Sequence, residues 1–315
     1  MDSAISRFAS RTPFTQSLPF SSVMAGMGWA CVIVGGAIVV VREGARGVVA
    51  KSQRPKTLDV AALQALGTQA GTSSILLEPH PGATLITSAG TRHSLRYGTL
   101  DERLNYAAEL TAAGLTPVGR AFAHTKTRVL DLADGFDGAM AGFSASTRRN
   151  ARRGRDDATF RYTCRPFSAC GAAVWDDVTA LYRRWLTKRP ALSDETAFRR
   201  AMGRDLTGMG TLVLAHRCAD DALVGAVTLL IHDRIGSYYA AFSERASDTG
   251  RVPTALACLA IEESHRQGAD LFDFVGVHDE RFPDEATEWS GFTTFKGRFG
   301  GDDVYLPPAF RLMTP

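Results

Sequence analysis

The chain has 315 residues, of which 45% are hydrophobic and 22% charged, and its formal net charge is +3. This length suits two globular domains better than one, and the small net charge excludes a protein that is basic over its whole surface. The five cysteines are scattered without a Cys-x-x-Cys pair, and there is no His-Glu-x-x-His motif. We therefore expect no disulfide framework, no metal site and a reducing, cytoplasmic location.

Residues 12–41 carry no charged side chain and follow Arg7 and Arg11, so a signal sequence or a membrane anchor is one interpretation. The first half of this segment is polar, however, and its second half contains two β-rich runs, residues 30–34 and 37–41, separated by two glycines. A glycine pair between two such runs is typical of a β-hairpin. The sequence therefore favours a buried hairpin.

Further along the first half, the apolar periodicity predicts helices over residues 58–70 and 100–113. The second helix is predicted to bury one side, formed by Leu104, Ala107, Ala108 and Leu110. Strands are predicted over residues 74–77, 116–123 and 125–132. A basic loop lies between the hairpin and the first of these helices. It is either a solvated surface or the positively charged rim of a site for a phosphorylated substrate. Its cations are Arg42, Arg46, Lys51, Arg54 and Lys56.

Arginines dominate the second half of a helix that the pattern predicts from Asp134 to Arg155. Arg148, Arg149, Arg152 and Arg153 lie within two turns, and no acidic residue separates them. Guanidinium groups bind phosphate through paired N–H donors, whereas like charges this close destabilise a helix unless an anion lies among them. We interpret the run as a phosphate-binding surface. A solvated helix face is the alternative.

The second half of the chain is predicted to contain two helices, three β runs, a third helix and a final strand. They cover residues 174–186, 196–202, 211–215, 223–231, 235–242, 252–267 and 271–275. Three antiparallel strands, a helix and a strand resemble the order of the GNAT acyltransferase fold, and the first half shows a looser version. We predict an α+β (α/β) protein with two GNAT-like domains, residues 1–133 and 134–315. Each would be a mixed, mostly antiparallel sheet flanked by helices.

Residues 289–301 combine three phenylalanines, Lys296 and Arg298 with four glycines. Aromatic rings supply stacking faces, the two cations supply donors for an anion or a developing oxyanion, and glycines permit a close approach of the backbone. The stretch is predicted to form a wall of a site for a phosphate-bearing or acylated substrate. The alternative is an edge strand with two solvated cations.

Three segments resemble the Fem-type peptidyltransferases, which are bacterial aminoacyl-tRNA-dependent ligases of peptidoglycan bridge formation. Residues 125–132 match a T-x-x-x-D-L strand, and residues 148–153 match an R-R-N-x-R-R segment. Residues 268–301 match G-x-x-x-x-D-F-x-G followed by G-F-x-x-F-K-x-x-F-G-G. The resemblance implies an enzyme that moves an amino acid from aminoacyl-tRNA to an amine of a UDP-linked or lipid-linked muropeptide.

The resemblance also implies roles for individual residues. Arg149 and Arg152 would bind the diphosphate of the acceptor, and Lys296 in the Phe-Lys motif would stabilise the oxyanion. Phe295 or Phe299, next to Arg298, could stack on the terminal adenine of the tRNA.

The amine must also be oriented, and the residue types suggest candidates for this task. Asp273 and the loop acids Asp279, Glu280, Asp284 and Glu285 carry carboxylates that could hold it. Tyr238 and Tyr239 lie on alternate faces of a predicted strand, and we select Tyr239 as the one that faces the substrate cleft.

A GNAT-type N-acyltransferase that uses acyl-CoA is the alternative function. Its pyrophosphate cradle would need backbone amides in the turn at residues 247–253, which has one glycine and loses an amide at Pro253. We therefore expect no cofactor, aminoacyl-tRNA as co-substrate, a monomer, and peripheral contact with the inner membrane face. A third interpretation, a non-enzymatic module that binds anionic lipid or RNA, fits poorly with the net charge and the Lys296 motif.

Overall fold

The computed structural model describes residues 3–45, 47–118, 123–188, 194–244, 250–284 and 289–315. The chain divides into two compact units. Unit 1 comprises residues 1–127, 279–285 and 303–315, and unit 2 comprises residues 128–278 and 286–302.

Unit 1 contains four α-helices in its described part, which are α1 (Ala4–Ser10), α2 (Leu18–Gly26), α3 (Val60–Ala70) and α4 (Leu100–Ala112). Its strands are β1 (Ala30–Val34), β2 (Ala37–Gly44), β3 (Gly47–Gln53), β4 (Thr57–Asp59), β5 (Ser74–Glu78), β6 (Thr84–Ile86), β7 (Arg92–Ser94), β8 (Leu115–Pro117) and β16 (Phe310–Met313). A six-stranded sheet has the order β1-β2-β3-β5-β16-β8, and a small sheet has the order β4-β6-β7.

The hairpin predicted over residues 30–41 is present. Strands β1 and β2 pair antiparallel, and Gly35 and Gly36 both have positive φ, as a tight two-residue turn requires. Only the first half of β2, residues 37–40, is buried, whereas β1 has no buried residue and Ile33 is 61% exposed. Within the described ranges, no helix is long and apolar enough to cross a membrane.

Helices α3 and α4 confirm the two predicted helices of the first half, but the buried side of α4 differs from the prediction. Tyr106 and Leu110 are buried, whereas Leu104 is 62% exposed. Tyr106 is held inside because its ring packs edge-to-face on Tyr97 and its hydroxyl donates to the carbonyl of His80 at 2.7 Å. Satisfying the hydroxyl makes a buried tyrosine possible.

Two segments from the end of the chain belong to unit 1. Strand β16 pairs antiparallel with both β5 and β8. Arg281 donates to both carboxylate oxygens of Asp279, to the Tyr97 hydroxyl and to the carbonyls of Thr125 and Leu306. The sequence-based division at 133/134 had assigned these segments to the second domain. Strand pairing so distant in sequence leaves no local pattern.

Two of the loop acids considered for orienting an amine have partners within unit 1. Asp279 is held by Arg281 and by the Thr125 hydroxyl at 2.6 Å. Glu280 pairs with Lys126 at 2.8 Å. Burial would raise the pKa of Glu280, but hydrogen bonds from Lys126 and Tyr305 lower it to about 2. Glu285 lies outside the described residues.

Unit 2 contains six α-helices in its described part, which are α5 (Gly135–Ala141), α6 (Ala145–Arg155), α7 (Ala172–Leu186), α8 (Thr196–Asp205), α9 (Val252–Arg266) and α10 (Ser290–Gly297). Its strands are β9 (Lys126–Asp131), β10 (Phe160–Pro166), β11 (Gly210–Arg217), β12 (Leu223–His232), β13 (Ile235–Ser243) and β14 (Leu271–Asp273), and β15 (Asp302–Tyr305) leads back into unit 1. The strands of unit 2 have the order β10-β11-β12-β13-β14-β9.

The element order of unit 2 confirms the predicted fold class. Strands β11, β12 and β13 form an antiparallel meander, and β14 pairs parallel with β13 after the crossover helix α9. Helix α9 packs on the sheet and contributes many of the fully buried side chains of the core. This is the order of three antiparallel strands, a helix and a strand that the sequence predicts.

The helix predicted over residues 134–155 is instead two helices, α5 and α6. The break falls at residues 142–144, where the Ser144 hydroxyl accepts a hydrogen bond from the Thr147 amide and caps the start of α6. Phe143, which the prediction placed on the apolar stripe of one helix, is buried at this break and packs against Phe299. The arginine run therefore has a short helix of its own.

Candidate active site

Residues 289–301 form helix α10 and the turn that follows it, so the interpretation as an edge strand is wrong. Phe292, Phe295 and Phe299 are spaced at i, i+3 and i+7, which places them along one side of a helix. The four glycines and the many aromatic and threonine residues in this stretch concealed that helical spacing. The segment is thus a short helix rather than a flat wall.

Two of these aromatic side chains differ in exposure. Phe299 is 1% exposed and packs against Phe143 and Phe274, with ring centroids 5.2 Å apart in each pair. This burial corrects the prediction that Phe299 could stack on an adenine, because no ring face is open to a ligand. Phe295 packs edge-to-face on Phe299 but is only half-buried, so it retains exposed ring surface.

Lys296 holds the turn that follows β14. Its ammonium donates to the carbonyl oxygens of Val275 at 2.8 Å and Gly276 at 2.5 Å. The turn is left-handed at both residues, with φ of 50° at Val275 and 75° at Gly276. A β-branched residue rarely adopts this conformation, so the turn needs support from its surroundings.

Two further contacts fix the same turn, which spans residues 273–278. The Asp273 carboxylate accepts from the Val275 amide at 2.8 Å, and the Thr293 hydroxyl of α10 accepts from the His278 amide at 2.7 Å. Helix α10 thus forms hydrogen bonds with the turn through two side chains, Thr293 and Lys296. Sequence analysis missed Thr293 and His278, because neither belongs to a motif of charged or aromatic residues.

The electrostatics of Lys296 suit a reactive group. Burial lowers its pKa to about 8, and nearby Asp273 only partly opposes this shift. An ammonium has three N–H donors, of which two bond to the turn carbonyls. Within the described residues the third has no partner and can serve a ligand. Lys296 can therefore present a positive donor whose charge is lost just above neutral pH.

The arginines of α6 divide into two groups. Arg148 donates to the carbonyls of Ala141 and Phe143, and Arg155 pairs with Glu262 at 3.0 Å. Arg149, Arg152 and Arg153 are exposed and have no ion-pair partner in the part of the chain that the structure describes. An exposed group of unpaired guanidinium groups is the arrangement expected for an anion-binding surface.

Helix α6 begins where α10 ends. The Ser144 amide, at the N-cap of α6, donates to the carbonyl of Arg298 at 2.8 Å. Gly300 follows with positive φ, and a Cβ there would lie 2.7 Å from the carbonyl oxygen of Gly142. The glycines after α10 therefore permit a close approach to the protein's own backbone. The structure thus joins the Lys296 helix to the arginine helix, although the Arg298 side chain itself is exposed.

Tyr239 lies on β13, two residues beyond Ser237, which pairs with Asp273 of β14. The pairing of β12 with β13 shifts register at this point and leaves Tyr239 in a bulge. Tyr238 packs with Phe272 and Phe274 in the core, whereas Tyr239 lies beside Phe198 of α8, which confirms that the two tyrosines face opposite ways. Burial raises the pKa of Tyr239, so it remains a neutral phenol.

Arg199 is a neighbouring residue that sequence analysis missed. Its Nη2 pairs with Glu195 at 2.9 Å, and its guanidinium lies over the Tyr182 ring. Its Nε and Nη1 atoms are buried and have no hydrogen-bond partner within the described ranges. Buried donors of this kind are uncommon and often mark a place where water or a ligand binds.

Within the described ranges, no group of three or more side chains could hold a metal ion. Part of the turn considered for CoA, residues 247–249, lies outside the described residues. Helix α9 starts directly after it at Val252, with Pro253 in the first turn.

Comparisons with known proteins show which family model and which solved structures this chain resembles. Residues 141–285 match the family model described as an acetyltransferase (GNAT) domain. A search of curated proteins found no match. The crystal structure of FemX resembles this chain with a TM-score of 0.73 and 12% identity, covering 99% of this chain and 96% of that chain.

Two further structures share the fold. The C-terminal domain of a proposed lysylphosphatidylglycerol synthetase from Agrobacterium fabrum has a TM-score of 0.59 and 12% identity, covering 98% of this chain and 90% of its own. L-PGS from Bacillus licheniformis has a TM-score of 0.57 and 11% identity, covering 92% and 86%. The protein therefore has the fold of FemX, and residues 141–285 within it match the acetyltransferase (GNAT) domain model.

Proposed function

We propose that the protein transfers an amino acid from aminoacyl-tRNA to an amine of a peptidoglycan precursor, in the formation of cell-wall cross-bridges. The observation that carries this proposal is Lys296, whose ammonium is fixed by two carbonyls and keeps one donor for a ligand. The Fem-type motifs around it, the unpaired arginines of α6 and the fold shared with FemX support the same conclusion.

In this reaction the acceptor amine attacks the ester carbonyl that joins the amino acid to the tRNA. A C–N bond forms, the ester C–O bond breaks, and the proton lost by the amine balances the proton gained by the departing ribose hydroxyl. The tetrahedral intermediate carries an oxyanion, which a preorganised donor stabilises. Lys296 supplies that donor, while Asp273 fixes the turn to which Lys296 is bound and helps to retain its charge.

The other candidate residues have binding roles in this proposal. Arg149 and Arg152 bind the diphosphate of the UDP-linked or lipid-linked acceptor. Phe295, with exposed ring surface next to Arg298, stacks on the terminal adenine of the tRNA. Tyr239 contacts the acyl group from the β13 bulge. The reaction needs no cofactor, and we propose a cytoplasmic monomer that meets lipid-linked acceptors at the inner membrane face.

N-acylation from acyl-CoA is the second candidate, because the matched family model is an acetyltransferase domain. A transfer assay with purified protein separates the two. It combines radiolabelled aminoacyl-tRNA pools with UDP-linked or lipid-linked muropeptide, next to an acetyl-CoA reaction and a Lys296→Ala control. Label that moves from tRNA to the muropeptide and is lost in the control supports the proposal. Acetyl-CoA turnover without transfer from tRNA overturns it.

Removing the two selected arginines should weaken acceptor binding without slowing the chemistry. In the double variant Arg149→Gln, Arg152→Gln, we expect KM for the muropeptide to rise about tenfold at unchanged kcat. Arg155→Gln is the control, because it removes one positive charge from the same helix at a residue already paired with Glu262. Steady-state kinetics would contradict the assignment if the control raised KM as much as the double variant.

The pH dependence of transfer should follow the charge of Lys296. Because its pKa in the folded protein is about 8, the ammonium is present below that pH and is lost as the pH rises through it. A charged ammonium stabilises an oxyanion more strongly than a neutral amine does, so we expect single-turnover rates to fall above pH 8. Asp273→Asn removes the charge that raises this pKa and should move the falling limb to lower pH, while its amide oxygen can still accept from Val275. A rate that rises through pH 8 in both proteins would contradict the role of Lys296 as a charged donor.

A further inference from the structure

A cleft with a volume of about 410 Å³ opens in unit 2 between residues 167–170, the start of α7, and α8. Its apolar wall is the half-buried ring of Trp175, and Phe167, which is 2% exposed, packs edge-to-face against that ring with centroids 5.0 Å apart. Gly203 of α8 lies directly against the indole, where a Cβ would come within 2.3 Å of the ring. None of the residues that line the cleft belongs to the candidate active site.

Charges of both signs border this wall. Arg200 pairs with Asp176 at 2.6 Å, and Arg204 forms two hydrogen bonds with the carboxylate of Asp205. The side chains of Arg200 and Asp176 are 53% and 63% exposed, and an ion pair that exposed holds its partners weakly. Their hydrogen bond uses Nη2 and Oδ1, so within the described residues Nη1 of Arg200 and Oδ2 of Asp176 remain for a ligand.

These features limit the kind of ligand. A phosphate would meet the carboxylates that already neutralise both arginines. A ligand that carries both an anion and a cation would satisfy both signs. An apolar body would cover the Trp175 ring. A free α-amino acid with an apolar side chain carries a carboxylate, an ammonium and an apolar group, and it is small enough for this cleft.

We propose that this cleft binds such an amino acid. The carboxylate contacts Arg200 and Arg204, the ammonium contacts Asp176, and the side chain packs on Trp175. The site is separate from the proposed aminoacyl transfer, and its existence does not depend on that function.

Ligand-observed NMR titrations with the purified full chain test the proposal through three probes. L-phenylalanine carries both charges, L-phenylalaninamide lacks the carboxylate, and 3-phenylpropionate lacks the ammonium. For a ligand of this size we expect a dissociation constant on the order of 1 mM for L-phenylalanine and about tenfold weaker binding of the other two. The Trp175 emission should change on binding, and Trp175→Phe should remove that change.

Charge variants assign the contacts. Asp176→Asn should weaken L-phenylalanine about tenfold and leave 3-phenylpropionate unchanged, while Arg200→Gln should weaken L-phenylalanine and leave L-phenylalaninamide unchanged. Asp177→Asn, at the next exposed position of α7, is the matched control and should bind like the wild type. Equal binding of all three probes, or no saturation by L-phenylalanine, overturns the proposal. Far-UV circular dichroism checks that each variant is folded.

Discussion

Lys296→Met should lower kcat for aminoacyl transfer by about 100- to 1000-fold, which is the usual cost of removing one oxyanion donor. Methionine retains the length and the apolar stem of the side chain but has no N–H group. The substitution removes the donor that is available to a ligand together with the two hydrogen bonds to the carbonyls of Val275 and Gly276. Single-turnover rates with saturating acceptor measure the effect on chemistry directly.

The loss must be separated from a simple effect on the turn, because Lys296 also supports residues 273–278. Thr293→Val is the matched control. It removes the other side-chain contact between α10 and this turn, which is the hydrogen bond that Thr293 accepts from the His278 amide, but leaves the ammonium in place. We expect it to cost about 1 kcal/mol of stability, as the loss of one partly buried hydrogen bond does, and to lower kcat far less than Lys296→Met.

If both variants lost the same activity, Lys296 would be a residue that positions the turn rather than one that contacts the reacting atoms. Thermal unfolding of the two proteins should accompany the kinetics. Suppose that the two variants unfold at the same temperature but only Lys296→Met has a much lower kcat. The loss of activity then comes from the missing ammonium and not from a weakened turn.

Much of unit 2 could be predicted because its signals are local. The turns between β11, β12 and β13 are short and polar, and α9 has Pro253 in its first turn and Gly268 just beyond its end. Periodicity likewise located α3 and α7. These elements depend on residues within a few positions of one another, so the sequence pattern carries the information.

The parts that could not be predicted depend on distant contacts. Strand β16 lies between β5 and β8, which are more than a hundred residues earlier in the chain. Phe299 belongs to a motif that suggests a ligand-facing ring, yet it packs in the core against Phe143, which becomes its neighbour only because α5 and α6 are separate helices. Local composition does not distinguish a buried aromatic residue from an exposed one in such a stretch.

In the candidate site, too, local motifs could be recognised in the sequence, whereas contacts between distant residues could not. The motif selected Lys296, but its partners are backbone carbonyls in a left-handed turn at Val275, and no sequence pattern predicts positive φ at a valine. The arginine run was recognisable in the sequence as a cluster of cations. Which of its members are unpaired depended on the break before α6, which supplies the carbonyls that hold Arg148.

Gly301→Ala should have the largest effect on stability, and we expect it to destabilise unit 2 by about 3 kcal/mol or more. Gly301 has a φ of 77°, which an alanine adopts only with strain. A Cβ there would lie 2.4 Å from the carbonyl oxygen of Val129 in β9, and a backbone atom of a paired strand cannot move aside as a side chain can. The strain and the clash therefore add.

Gly291→Ala is the matched control for that substitution. Gly291 lies in α10, is exposed, and has no atom within 4 Å of the position that a Cβ would occupy. Alanine is the better helix former by about 0.5–1 kcal/mol, so this variant should be as stable as the wild type or slightly more stable. Urea unfolding followed by tryptophan emission compares the two variants. If Gly301→Ala unfolded at the same urea concentration as Gly291→Ala, β9 and the turn after α10 could separate freely. The position of α10 would then not depend on the close approach of Gly301 to β9. The same would hold for the hydrogen bonds of Lys296 to the turn after β14.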